Sequence, residues 1–440
     1  MSSRLIRCLA TTPELDDLFS DSSVLSALLA FESALARAQA RLGLIPTSAA
    51  DSIAQAAAPA SFDAASIAAA ARRAATPAIP LVNALTERVR EIDEPASRYV
   101  HYGATSQDAV DTAIVLLLKR AEPILTQDHA RLEAALRHLS ETHAATVMLA
   151  RTVLQPAPPI TFGYKAASWY GLVHRSWRAV AASFAEALQL QFGGAAGTLA
   201  SYGDQGPALA TELAAELGLP PAPPPWHTSR DRLAALVAAL GIYTAALGKI
   251  ARDVSLLMQH EVAEVAESGG GSSAMPHKRN PSGCAITLAA ATRMPGLVAT
   301  FLSEMIQEHE RAAGPWQAEW ETLSSCVQTA GSALSALADA ISTLTVFPER
   351  MRENLASTLG AVYTEKLAVA LAPKIGRAES QRLLAEAVQQ AIETTRPLRE
   401  IVAAHPILST LLTRAQIDSL DLPEDYLGAT ELFRRRLLEQ

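Results

Sequence analysis

Residues 267–281 read ESGGGSSAMPHKRNP. Gly269, Gly270 and Gly271 in a row let the backbone reach positive φ and move. Ser272 and Ser273 follow at once. Pro276 and Pro281 then bracket His277, Lys278, Arg279 and Asn280. Flexible backbone, hydroxyls and fixed cations together suit an anion site under a mobile lid. A plain surface loop leading into a helix after Pro281 explains the same residues, so the pattern alone leaves both readings open.

Outward from this loop the chain reads as helices. Leu28, Phe31, Leu35, Ala38 and Leu42 recur at steps of three and four, one face of a helix. Asp21 to Ser23 are placed to cap its start, and Gly43 with Pro46 to end it. In the block HYGATSQD (101–108), Gly103 breaks the local pattern, and Thr105, Ser106 or both are placed to cap the next helix. Between about 111 and 349, polar, Gly-rich or Pro-rich joints at 155–163, 192–206, 219–232, 267–283 and 308–322 separate several long helices. No alternating strand pattern of useful length stands out. Antiparallel helices with such joints predict a long bundle whose functional loops gather at its ends.

Composition agrees with a packed helical protein. Apolar residues make up 49% of 440 residues and charged residues 19%, which excludes a disordered chain. Aromatics are only 5%, and small helix-favouring side chains suit closely packed helices. A net charge of −8 without a dense basic stretch argues against a nucleic-acid partner. Cys8, Cys284 and Cys326 are odd in number and widely spaced, which reads as reduced thiols in a cytoplasmic protein. Residues 1–10 lack the apolar core of a leader peptide. The longest nearly apolar run, 233–248, falls short of the roughly 20 residues that span a bilayer. It reads as a helix buried in a bundle, and no membrane partner is expected.

The loop closely resembles the most diagnostic motif of the fumarase/aspartase superfamily, G-S-S-x-M-P-x-K-x-N-P, with all eight specified positions matched. Two weaker blocks of that family follow in the right order: residues 101–108, and RTVLQPAPPITFG at 151–163. The resemblance implies an all-α, three-domain protein with a long central helical bundle. The N-terminal helical domain would cover 1–108, the bundle 109–352 and the C-terminal helical domain 353–440. It also implies a homotetramer whose active sites are each shared among three subunits. LQFGGAAGT (190–198), WHTSRDR (226–232), His277-Lys278-Arg279 and QEHERAAGPWQAEWE (307–321) are similar to bacterial cycloisomerases of the superfamily. Those enzymes interconvert a diene tricarboxylic acid and its γ-lactone in the degradation of aromatic compounds.

The residues fit the chemistry that the resemblance implies. The superfamily removes a proton α to a carboxylate and then expels a group from the β carbon. The carbanion needs cations and hydrogen-bond donors where its charge develops. Ser272 matches the family's base, and Lys278 with Asn280 supplies stabilising donors. Desolvation, backbone N–H groups and Lys278 must make the serine ionise when the loop closes. Ser273 and Met275 support the loop or the substrate. Thr105 and Ser106 add hydroxyls near a helix start, a natural anion site. Thr152, Gln155, His309 and Arg311 complete the expected substrate set, with Arg230 or Arg232 as further bidentate grips. His101 contacts substrate or is structural, and His227 is open in the same way. His277 reads as a solvated loop residue. Trp316 and Trp320 read as core or interface. Glu319 and Glu321 are either paired acids or a charged helix face. The small dicarboxylate or tricarboxylate substrate requires neither cofactor nor metal.

One departure narrows the reaction. Many superfamily lyases carry a histidine after the Arg-Thr pair of the 151–163 block, where it assists the leaving group. This chain has Val153. An amine or hydroxide leaving group needs a proton, whereas a carboxylate, whose conjugate acid has a pKa near about 4, does not. Lactone opening expels a carboxylate. The cycloisomerases often carry an aromatic residue at the place of Val153 and a histidine at the place of Pro156, and this chain departs at both. A lyase that expels nitrite from nitrosuccinate, or an amine from an adenylosuccinate-like substrate, stands as the alternative.

Overall fold

Ser20 starts the first long helix, Asp21–Arg41: its side chain accepts from the Ser23 amide at 3.4 Å. The cap is therefore one residue earlier than the sequence suggested. Leu28, Phe31, Leu35 and Ala38 are buried as their spacing predicts. Leu42 closes the helix, and Gly43 follows at a φ of 71°. The same reasoning holds along the chain. The computed structural model describes residues 4–269, 271, 275 and 278–440, and nineteen α-helices occur among them. The long ones are Ser106–Thr142, Phe162–Ala187, Asp231–Leu257, Ser282–Glu304 and Pro315–Ser342. Phe162, Asp231, Ser282 and Pro315 start inside the joints read from the sequence, but Thr142, Ala187, Leu257 and Glu304 end their helices four or more residues before the next joint; the all-α class holds.

Strands are few, but one hairpin corrects the sequence reading. Val147–Thr152 pairs antiparallel with Gln155–Thr161. Three prolines in QPAPPIT argue against a strand, because proline cannot donate to a ladder. The ribbon accommodates them by a bulge: Leu149 faces Pro159 and Ala150 faces Ala157, so Pro158 falls outside the register. Val153 and Leu154 form the two-residue tip, both at positive φ (52° and 64°).

Two compact units make up the chain. The first comprises Met1–Ala130, Ser176–Gly248 and Ile286–Ala336. Its core includes Leu28, Phe31, Leu236, Val237, Leu240 and Leu334, all nearly inaccessible. Each such side chain contributes about 1.5–3 kcal/mol by leaving water. Gly241 and Gly248 let helices approach closely here: a Cβ would stand 2.8 Å from Val298 and 2.6 Å from Ala291. The second unit comprises Arg131–Arg175, Lys249–Ala285 and Leu337–Gln440. Its core joins Val147 and Leu149 of the hairpin to Leu371, Leu384, Leu398 and Val402.

The apolar run at 233–248 is longer as a helix than as a sequence pattern. It lies within Asp231–Leu257, and that helix and Ser282–Glu304 are both long and apolar enough to cross a membrane by length and composition. The apolar stretch of the first is 67% buried inside the protein, as in a core helix. That of the second is only 22% buried.

Candidate active site

A left-handed turn introduces the helix Ser106–Thr142. His101 has a φ of 55° and Gly103 a φ of 73°. Gly103 is required twice over, because a Cβ there would also lie 2.5 Å from the Tyr202 ring. Gly103→Ala should cost about 1–3 kcal/mol, read as a lower urea midpoint; an unchanged midpoint would contradict this packing.

The hydroxyls at the helix start do not serve as caps in the way the sequence suggested. Asp108 reaches back instead, and its Oδ2 accepts from the Thr105 amide at 3.1 Å. Thr105 and Ser106 face Arg311, which is 205 or more residues away in sequence. Arg311 Nη1 donates to Thr105 Oγ1 at 2.6 Å, Nη2 to Ser106 Oγ at 3.2 Å and Nε to Gln107 Oε1 at 3.3 Å. All three acceptors are neutral. No carboxylate pairs with Arg311 among the described residues. A half-buried guanidinium held by neutral oxygens keeps its charge available for an incoming anion.

Beneath this group lies a buried ionic layer. Arg230 is only 2% exposed. It donates to Asp111 at 2.8 and 3.2 Å and to Glu319 at 2.6, 2.9 and 3.1 Å. Its guanidinium also sits 4.7 Å above the Trp226 ring. Burial alone would lower its pKa, but the two carboxylates overcome that and raise it. Of the two arginines that the sequence offered as further grips, Arg230 is therefore already paired with Asp111 and Glu319 inside the protein. Glu319 is neither one of two paired acids nor part of a charged face; it is the counter-ion of Arg230. Asp111 also accepts from Trp316 Nε1 at 2.9 Å and from Gln107 Nε2 at 3.2 Å.

His227 belongs to the same layer. Its Nε2 lies 2.9 Å from Asp108 Oδ1, and Asp108 also accepts from the amides of Gly193 and Gly194, each at 2.9 Å. The ring is buried, and its contact with Asp108 fits the structural reading of His227. Trp316 is core, with Trp320 edge-on at 4.9 Å. His309 is exposed, with a φ of 47°, and its carbonyl accepts from Thr228 Oγ1 at 3.0 Å. His101 Nδ1 meets Glu32 Oε1 at 2.7 Å. Sequence reasoning missed Glu32, Asp108 and Asp111. The signal for Glu32 was a lone carboxylate on an otherwise apolar helix face.

The second unit carries the remaining candidates. Thr152 and Gln155 are the exposed closing pair of the hairpin, and Val153 at its tip is 96% exposed. Arg151 anchors the hairpin: it donates at 3.0 and 2.8 Å to the buried Glu264, which also accepts from Asn354 at 2.8 Å. Met275 and Lys278 are exposed, Asn280 is half-buried, and the Lys278 amide donates to the Met275 carbonyl at 3.0 Å. Gly271 bridges to Arg279. Buried Glu267 accepts from the amides of Gly283 (2.9 Å) and Cys284 (3.1 Å), so one side chain ties together both ends of the glycine-rich loop. Ser272, Ser273 and His277 lie outside the described residues.

The chain is similar to known proteins along most of its length. A family model described as lyase matches residues 7–296, and a model described as adenylosuccinate lyase C-terminus matches residues 360–437. A protein of Bradyrhizobium diazoefficiens named 3-carboxy-cis,cis-muconate cycloisomerase is 45% identical over 95% of this chain and 94% of its own length. A nitrosuccinate lyase of Streptomyces davaonensis is 42% identical over 93% of this chain and 89% of its own. The solved structure of 3-carboxy-cis,cis-muconate lactonizing enzyme from Pseudomonas putida superposes with a TM-score of 0.93 at 40% identity, covering 99% of this chain and 98% of that one.

Proposed function

Because the chain belongs to the fumarase/aspartase superfamily, through the lyase family whose model spans residues 7–296, we propose that it interconverts 3-carboxy-cis,cis-muconate and its γ-lactone, 4-carboxymuconolactone. In the opening direction a base removes the proton α to a carboxylate. The ring C–O bond breaks, the carboxylate departs with the electron pair, and a C=C bond forms. Lactonisation is the reverse.

Ser272 is the proposed base, and Lys278 with Asn280 stabilises the carbanionic intermediate. Arg311, Thr105, Ser106 and His101 hold substrate carboxylates. Thr152, Gln155, Ser273, Met275 and His309 are the further proposed contacts. The observation that carries the reading is Arg311, a cation with three neutral partners and no counter-ion among the described residues. Each site would be assembled from three subunits of a homotetramer in the cytoplasm. The exposed apolar helix Ser282–Glu304 and the exposed tip Val153-Leu154 support that assembly.

Purified protein incubated with 3-carboxy-cis,cis-muconate should remove its diene absorbance, with the lactone as product. No turnover, together with clean elimination from another succinyl compound, would sink the proposal. Nitrosuccinate is the second reading. It is favoured by the 42% identical nitrosuccinate lyase and by Val153, since nitrite also departs without a proton. A panel of both substrates separates the two.

A further inference from the structure

We propose that Glu32 is a positioning residue of the substrate site: through His101 it presents a protonated imidazole, with Nε2–H as donor, to a substrate carboxylate. The inference rests on the site reading above and assigns a task to a residue on the helix Asp21–Arg41.

Glu32 and Gln39 lie seven residues apart in the helix Asp21–Arg41, two turns along one face. They are 2% and 0% exposed on a helix whose other buried residues, Ser33 apart, are Leu, Phe and Ala. Buried polar groups in such a setting cost stability unless they are paired. Both reach the same turn. Glu32 Oε1 takes His101 Nδ1 at 2.7 Å, and Gln39 Nε2 donates to the Tyr102 carbonyl at 2.7 Å. Tyr202 donates to that carbonyl as well, and its ring fills the space a Cβ at Gly103 would need. His101 is thus gripped at its ring, and its neighbour at the backbone, in a left-handed conformation that non-glycine residues rarely take.

The pairing decides which ring atom is left to work. Nδ1 is committed to Glu32, so Nε2 is the free position, and no described residue takes it. It also decides the charge. Glu32 Oε2 has no partner among the described residues, so a charged Glu32 has only the imidazole to neutralise it. Burial by itself would lower the pKa of His101. The charge and hydrogen bond of Glu32, with the charge of Asp108, outweigh burial and raise it. Tyr202 stays neutral, because burial pushes its phenol up. Neutral His101 with Nδ1–H on Glu32 would instead offer a lone pair at Nε2, which repels a carboxylate.

The sign of the pH effect follows. A raised folded-state pKa keeps the cation, and its share of anion affinity, at pH values below that pKa; both are lost as pH rises through it. In Glu32→Gln burial dominates, and the loss moves to lower pH. The experiment uses the full-length protein and propane-1,2,3-tricarboxylate, a non-reacting probe. Calorimetric affinity is measured between about pH 6 and 9 alongside the NMR titration of the His101 ring. Glu32→Gln should weaken binding about tenfold near neutral pH and shift both curves to lower pH, with Glu32→Asp recovering part of the affinity. Identical His101 titration and pH dependence in Glu32→Gln would overturn the proposal. If that variant does not fold, the wild-type protein decides: probe binding must raise the His101 pKa, and an unmoved value overturns the assignment. Failure of the cycloisomerase reading is seen separately, as no turnover of carboxymuconate while tricarboxylate binding keeps its dependence on Glu32.

Discussion

Replacing Arg230 by Met is expected to remove about 3–5 kcal/mol of stability, because it strands two buried carboxylates. Asp111 and Glu319 are each about 1% exposed, and Arg230 neutralises both. Trp316 and Gln107 still donate to Asp111, and Gln307 still donates to Glu319. These neutral donors cannot supply the missing charge. Urea unfolding at fixed protein concentration measures the loss, since assembly would otherwise shift the midpoint. A control separates the worth of the pair from the penalty of breaking it. Changing Arg230, Asp111 and Glu319 together to apolar residues of similar volume should restore most of the stability. A loss below about 1 kcal/mol in Arg230→Met would mean that water reaches this layer and that Arg230 remains open to substrate.

Arg230 also shows where sequence reading stops. WHTSRDR displayed two arginines near a region rich in site residues, and both were eligible to hold a carboxylate. What a sequence cannot display is who stands opposite. The partners of Arg230 come from the helices Ser106–Thr142 and Pro315–Ser342, 119 and 89 residues away. Arg311 looked no different in the sequence, yet among the described residues it meets only neutral acceptors. Local grammar, by contrast, was legible. Gly43 ends a helix because it tolerates φ 71°, and the joints at 219–232 and 267–283 stop at the helices Asp231–Leu257 and Ser282–Glu304. The hairpin was missed because QPAPPIT violates the composition of a strand, and only the bulge at Pro158 reconciles the two. Thr105 and Ser106 were found by their position at a helix start. Their partner differed: Thr105 Oγ1 accepts from Arg311, while the Thr105 amide donates to Asp108.

That division of labour makes Arg311 the most exposed point of the proposed chemistry. Arg311→Ala should lower kcat/KM by about 10²–10³-fold, the usual loss when one preorganised donor to developing negative charge is removed. Stability should fall by no more than about 1–3 kcal/mol: half-buried Thr105 and Ser106 can turn to water, while the buried Gln107 Oε1 loses its donor. Arg311→Lys should recover little. An ammonium is a point charge and cannot span Thr105 and Ser106 while also gripping a carboxylate in two places. The split between the constants is informative. If Arg311 only anchors a remote carboxylate, KM rises and kcat holds; if it faces the carboxylate that gains charge in the carbanion, kcat falls with kcat/KM. Steady-state rates on 3-carboxy-cis,cis-muconate, with urea unfolding of the same samples, measure both effects. Wild-type activity in Arg311→Ala would remove the cation from the site and leave the hydroxyls of Thr105 and Ser106 without a reason to face it.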